Sequence, residues 1–238
     1  HNYDVTPEQV VQHAVRYQCQ SIASTYVEPT IFTEYMIDIG RLARKKGLLK
    51  VMHSNGYING APLQELSKYL DAACIDLKGY SDQYYRDLTG GTLAPVLQTL
   101  KRLRESGIHT EIVNLVIPSK NDDMEQIGTM CRWIKNELGP DVPLHFTRFY
   151  PLYKLKSLPP TPVSTLEQAR KTALEVGLHF VYIGNVPGHP GEHSDCPRCR
   201  ARLIERMGYR VQLVHLKNGH CGRCGLPIPG VWQLPQKS

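Results

Sequence analysis

The run LKVMHSNGYINGAPLQELSKYLDAACIDLK at residues 49–78 decides the fold. Residues 49–53 read as a strand, 62–70 as a helix and 73–77 as a second strand. A strand, a helix and a strand packed into so short a stretch predict a parallel βαβ unit. The unit recurs on both sides. Strands are predicted over 21–26, 111–117, 144–149 and 179–183, with helices over 82–88, 93–105, 123–138 and 164–176. Thr6-Pro7-Glu8-Gln9 has the pattern of a helix start: Thr6 as cap, Pro7 at the first helical position, Gln9 closing a capping box. Ser164 and Glu167 suggest a second capping box. Arg44-Lys45-Lys46-Gly47 suits a helix exit, with cations near the negative end of the dipole and a glycine to leave it. The fold class expected is therefore α/β, a partial (β/α) TIM-like barrel. An open doubly wound sheet is the alternative, but no Gly-x-Gly-x-x-Gly turn follows any of these strands.

After Gly184 the texture changes. Pro187-Gly188-His189-Pro190-Gly191 reads as a linker. The expected organisation is a barrel over 1–186 and a small metal module over 187–238. That module holds Cys196-x2-Cys199 and Cys221-x2-Cys224, two knuckles with the spacing that places four sulfurs around one metal ion. Gly222 and Gly225 are read as letting the second knuckle bend, and the 203–216 run as strands pairing across a ribbon. Zinc is the default ion. Iron, alone or as an auxiliary cluster, is the alternative, because thiolates serve both. A pair of disulfides is the competing reading. Cys19, Cys74 and Cys131 lie in helix or strand patterns and read as core residues.

Composition limits the rest. With 41% apolar residues the 238-residue chain has enough apolar side chains for a sizeable core. No apolar window is long enough to span a membrane, and the cysteine pattern favours a reducing compartment, so the expected location is the cytoplasm. The net charge of +6 lies wholly on residues 193–238, which carry eight Lys/Arg and two Asp/Glu, leaving 20 of each sign elsewhere. Basic residues around four thiolates compensate their charge. The other reading, a metal module that grips nucleic acid, finds only Tyr209 and Trp232 as stacking aromatics and is not favoured.

Polar residues recur at the predicted strand ends: Glu28-Pro29-Thr30, His53-Ser54-Asn55-Gly56, Asp76-Leu77-Lys78, Asn114 and His145. Each alone is a turn, an ion pair or a core histidine as readily as a site. Together they suggest the carboxyl rim where barrels build active sites.

At these residues the chain resembles the radical S-adenosylmethionine (SAM) superfamily, on the branch of the glycyl-radical-enzyme activases, and is similar to the radical SAM component of the AmmeMemoRadiSam system. The stretches that carry the resemblance are Thr25-Tyr26-Val27-Glu28-Pro29-Thr30, Ser54-Asn55-Gly56-Tyr57, Asp76-Leu77-Lys78, Val116-Ile117-Pro118 with Asn121-Asp122, Pro143-Leu144-His145-Phe146, Tyr182-Ile183-Gly184-Asn185 and the terminal knuckles. The resemblance implies a 4Fe–4S cluster on a C-x3-C-x2-C loop, and SAM cleaved by one electron to a 5′-deoxyadenosyl radical. The electron would come from a donor such as flavodoxin or ferredoxin. The substrate would be a protein or a small molecule.

By the same resemblance Glu28 meets the SAM amino group, Lys78 its carboxylate, and Asn55, Asp76 and His145 complete the cofactor pocket. Two departures are visible. His53 stands where the activases usually have Asp, and C-x3-C-x2-C occurs nowhere in the sequence. The resemblance places that loop directly before His1, so the chain as given is expected to be inactive alone. The remaining alternative is a SAM-binding scaffold without radical chemistry.

Overall fold

A computed structural model describes residues 4–232. In chain order the main elements are α1 (Pro7–Arg16), β1 (Ser21–Ser24), α2 (Thr33–Lys45), β2 (Leu49–Ser54), α3 (Gly60–Ser67), β3 (Ala72–Asp76), α4 (Asp82–Thr89), α5 (Leu93–Glu105), β4 (His109–Val116), α6 (Met124–Leu138), β5 (Leu144–Arg148), α7 (Val163–Val176) and β6 (Val181–Gly184). The six strands form one sheet in sequence order and alternate with helices, the architecture expected from the βαβ repeat. Short strands follow: β7 (Ser194–Asp195), β8 (Arg202–Met207), β9 (Arg210–Leu213), β10 (Leu216–Lys217) and β11 (His220–Cys221).

The described residues fall into two compact units, 4–76 with 94–110, and 77–93 with 111–232. In the first unit β1, β2 and β3 pair in parallel, with Ser24 opposite Met52 and Ser54 opposite Ile75. Its helices obey their apolar spacing. Val11 and Ala14 of α1 pack with Ile39 and Ala43 of α2. The Thr6–Gln9 capping box forms as expected, each side chain bonding the other residue's backbone N–H. In the second unit β4, β5 and β6 pair in parallel, with Val113 opposite His145 and His145 opposite Tyr182. Ile112, Leu144, Phe146 and Ile183 are buried along one face of these strands.

Four local expectations change. The start of α7 has Pro162 as its cap with no side-chain bond, so Ser164 lies inside the helix and Glu167 instead meets His189 Nε2 at 3.3 Å. Strand β3 ends at Asp76, so strand alternation does not continue to Lys78. Strand β5 begins at Leu144, as the sequence reading placed it, so His145 is its second residue and stands at the amino end of the strand rather than on the carboxyl rim. The Asn114 side chain is buried within β4, where Nδ2 donates to the Leu77 carbonyl at 2.7 Å, so it packs within the strand and is not on the rim.

One residue the sequence reading passed over is Lys50, 1% exposed in β2. Its Nζ donates to Ser24 Oγ at 2.6 Å, with the Val51 and Ile22 carbonyls at 3.4 and 3.5 Å, and burial pulls the ammonium down to about 8. Between that value and the ordinary 10.5 the unfolded chain holds the extra proton, so the native chain gains stability as pH rises through this window. A Lys50→Met chain lacks the buried ammonium. It should be more stable than the native chain at pH 7, by up to about 3 kcal/mol, and the gap should close as pH rises from 8 towards 10.5. Paired urea melts at pH 7 and pH 10 read the difference.

Candidate functional site

The first unit gathers a polar cluster where β1 and β2 end. Glu28 precedes a proline, which favours extended backbone, and Glu28 is extended at φ −101°, ψ 110°. Pro29 is buried and opens a short 3-10 turn, Pro29–Phe32, that Glu28 caps. The carboxylate takes four hydrogen bonds. Oε1 accepts from Thr30 N–H at 3.2 Å, Thr30 Oγ1 at 2.9 Å and Ser54 Oγ at 2.7 Å, and Oε2 accepts from the Asn55 N–H at 2.8 Å. Oε2 has no other partner among the described residues, so one carboxylate oxygen keeps acceptor capacity for a ligand.

The turn after β2 is built to hold these donors. Ser54 Oγ accepts the Gly56 N–H at 3.0 Å, and Asn55 Oδ1 accepts the Tyr57 N–H at 2.8 Å. Gly56 has φ +72°, and a β-carbon there would come within 2.8 Å of Ile75 Cγ2, so glycine is required twice over. Next to this cluster His53 Nε2 and Asp76 Oδ1 meet at 3.1 Å across β2 and β3, both side chains partly exposed. Tyr26 and Val27, just before Glu28, are 91% and 87% exposed.

The structure therefore brings Glu28 together with Asn55, and His53 together with Asp76, within one unit. Lys78 belongs to the other unit. There its carbonyl accepts from Asn121 Nδ2 at 2.6 Å, while Asn121 also bonds the Leu115 carbonyl and the Ile117 N–H. His145 departs from the expectation. At the amino end of β5 it bonds Glu111 Oε2 at 2.8 Å and stacks on Tyr182, with ring centroids 4.9 Å apart. Thr30 and Ser54 join the network around Glu28, and Asn121 separately holds the Lys78 carbonyl, without having been singled out as site residues. Their signal was present in Glu-Pro-Thr, Ser-Asn-Gly and Asn121-Asp122.

The second chemical feature is the four-cysteine module. The sulfurs of Cys196, Cys199, Cys221 and Cys224 lie within 4.8 Å of one another, with 3.6 Å between Cys196 and Cys224 and between Cys199 and Cys221. A tetrahedral site with metal–sulfur bonds of about 2.3 Å spaces its sulfurs by about 3.8 Å, so the set fits a single ion. All seven cysteines are free thiols, which removes the disulfide reading. Each knuckle turns on a residue of positive φ directly after its second cysteine, Arg200 at +60° and Gly225 at +72°. Arginine at the first of these was not foreseen, and Gly222 serves otherwise, donating its N–H to the His215 carbonyl at 2.7 Å. Backbone N–H groups of Cys224 and Arg223 pull the Cys221 thiol down to about 6. Two of the cysteines, Cys196 and Cys221, are buried in a core with Phe180, Leu203, Leu216 and Ile228, against which Tyr182 also packs.

The comparisons with known proteins agree with this fold. The radical SAM superfamily profile matches residues 1–131. The chain is 45% identical over 227 residues to the uncharacterized protein MJ0808 of Methanocaldococcus jannaschii, covering 94% of this chain and 67% of that one. It is 28% identical over 103 residues to the pyruvate formate-lyase-activating enzyme of Clostridium pasteurianum, covering 43% of each. Among solved structures, a domain of the pyruvate-formate lyase-activating enzyme from Bacteroides vulgatus superposes with a TM-score of 0.61 at 16% identity, over 69% of this chain and 99% of that one. Streptococcus suis SuiB bound to S-adenosylmethionine gives 0.62 at 10% identity, over 77% and 44%. The chain belongs to the radical SAM superfamily. Its relatives include glycyl-radical activating enzymes, and it spans less than half the length of the Clostridium pasteurianum enzyme. Among the described residues no helix is long and apolar enough to cross a membrane.

The module makes a direct prediction. Purified protein should carry one metal ion per chain, and Cys221→Ser should release it and lower the melting temperature through the core shared with Phe180. Metal analysis with thermal melts checks both. Protein without metal, or a variant that retains it, would exclude this site.

Proposed function

We propose that the chain is the cofactor-binding and metal-module part of a radical SAM enzyme of the activase type, and that Glu28, Asn55, Asp76 and Lys78 bind S-adenosylmethionine. The observation that carries the proposal is the Glu28 carboxylate, held by Thr30, Ser54 and Asn55 with one oxygen open. SAM bears an ammonium, a carboxylate and a sulfonium, so its pocket needs both signs of charge. A pre-oriented carboxylate suits the ammonium. Lys78, with its backbone fixed by Asn121, suits the carboxylate. Asn55 holds the turn that orients Glu28. His145, bonded to Glu111 at the start of its strand, is not included in this proposal.

When bound and reduced by one electron, SAM supplies the organic radical with which the superfamily abstracts hydrogen. The cluster that delivers this electron needs three neighbouring cysteines. Among the described residues the only grouped cysteines are the four of the metal module. Cys131 is buried in α6, its thiol pushed up to about 12. The residues present therefore do not hold the cluster, and radical chemistry calls for cysteines that residues 4–232 do not supply. The substrate is a protein or a small molecule, the reductant a flavodoxin or ferredoxin type of donor, and the module's ion zinc, consistent with four thiolates at tetrahedral spacing. The setting is cytoplasmic.

Calorimetry with SAM tests the pocket. Glu28→Gln keeps the shape and removes the charge, and Lys78→Met keeps the stem and removes the ammonium. Each should weaken binding by about 1.5–3 kcal/mol, the range for hydrogen bonds to charged groups. Unchanged affinity in either variant would take that residue out of the pocket. A native chain that shows no saturable SAM binding would defeat the reading.

A further inference from the structure

Apart from the cluster around Glu28, the first unit has a cavity of about 240 Å³ between the start of α3 and the flank of α5. Its wall includes Asn59, Gly60, Gln98, Thr99 and Arg102. Four observations meet there. Asn59 occupies the cap position of α3 in extended conformation, yet its side chain makes no capping bond. The N–H groups of Gly60 and Ala61 have no acceptor among the described residues, and Pro62 brings none, so the first turn of this eight-residue helix presents open donors. Thr99 is 1% exposed, and its Oγ1 has no hydrogen-bond partner. Arg102 lies over the helix start so closely that a β-carbon on residue 60 would overlap its Nη1, and no carboxylate among the described residues pairs with it.

The position of Arg102 is the informative one. It belongs to the last turn of α5, where a cation suits the negative end of its own helix. Its guanidinium is instead carried to the positive end of α3. Asn59, Ala61 and Arg102 are exposed, so water screens these two positive groups, but an anion between them would meet the open donors, the guanidinium and the buried Thr99 hydroxyl together. Glycine at position 60 is what makes the approach sterically open.

We propose that this cavity is an oxyanion site of the phosphate class, formed by the Gly60 and Ala61 N–H groups and the Arg102 guanidinium, with Asn59, Gln98 and Thr99 completing its wall. A free phosphate ion and the phosphate of an organic phosphomonoester share this chemistry. The proposal is independent of the SAM pocket.

The test is calorimetry on the full 238-residue chain with inorganic phosphate in one arm and phenyl phosphate in the other, against chloride at equal ionic strength. Two variants accompany it. Arg102→Gln removes the charge. Gly60→Ala keeps the charge but displaces the guanidinium with a methyl group, and it does so in a helix that tolerates alanine well. Saturable binding beyond the chloride control is expected in at least one arm, with the tighter arm identifying the source. Both variants should weaken it about tenfold or more, as for charge-assisted bonds, while circular dichroism melts show a folded chain. Binding indistinguishable from chloride in both arms, or a folded variant of either kind that binds like the native chain, would overturn the proposal.

Discussion

The carboxylate of Glu28 ties the first unit's polar end together. Two adjacent parallel strands finish side by side, and parallel pairing alone says nothing about how the segments beyond them run. Glu28 settles it by taking donors from Thr30 on its own turn and from Ser54 and Asn55 beyond β2. Proline at position 29 restricts the backbone that carries the carboxylate, and the turn through Gly56 aims the donors. The same bonds that fix the loops fix the charge, so the carboxylate is oriented by the fold itself.

The alternation of strands and helices was legible in the sequence because burial imposes a different period on each. The capping boxes show the limit of such reading. Thr6 and Gln9 form one, but Ser164 and Glu167, with the same spacing, do not, because Pro162 already sets the entry to α7. The spacing states what is permitted, and the preceding residue decides where the helix begins. His145 is a different case. The sequence reading already started its strand at 144, which puts His145 near the amino end, and the structure adds its partners there, Glu111 and Tyr182.

The four-cysteine module was the most legible part, since spacing and chemistry coincide. What escaped was the backbone. Arg200 adopts the left-handed conformation that Gly225 adopts at the matching position of the second knuckle, at a steric cost a glycine avoids. Lys50 escaped too, because nothing in its neighbours distinguishes a buried lysine from a solvated one until Ser24 and the strand carbonyls are placed around it.

The core around the module's sulfurs includes Phe180 and receives Tyr182 of β6, and Tyr182 OH also meets Ser194 Oγ at 2.7 Å. An ion on the four thiolates thus organises side chains that the main sheet uses as well. Since an ion that binds only the folded form adds stability with the logarithm of its free concentration, the integrity of β6 becomes tied to how much metal the surroundings leave unbound. Under a strong chelator or metal shortage, the sheet would loosen first at β6.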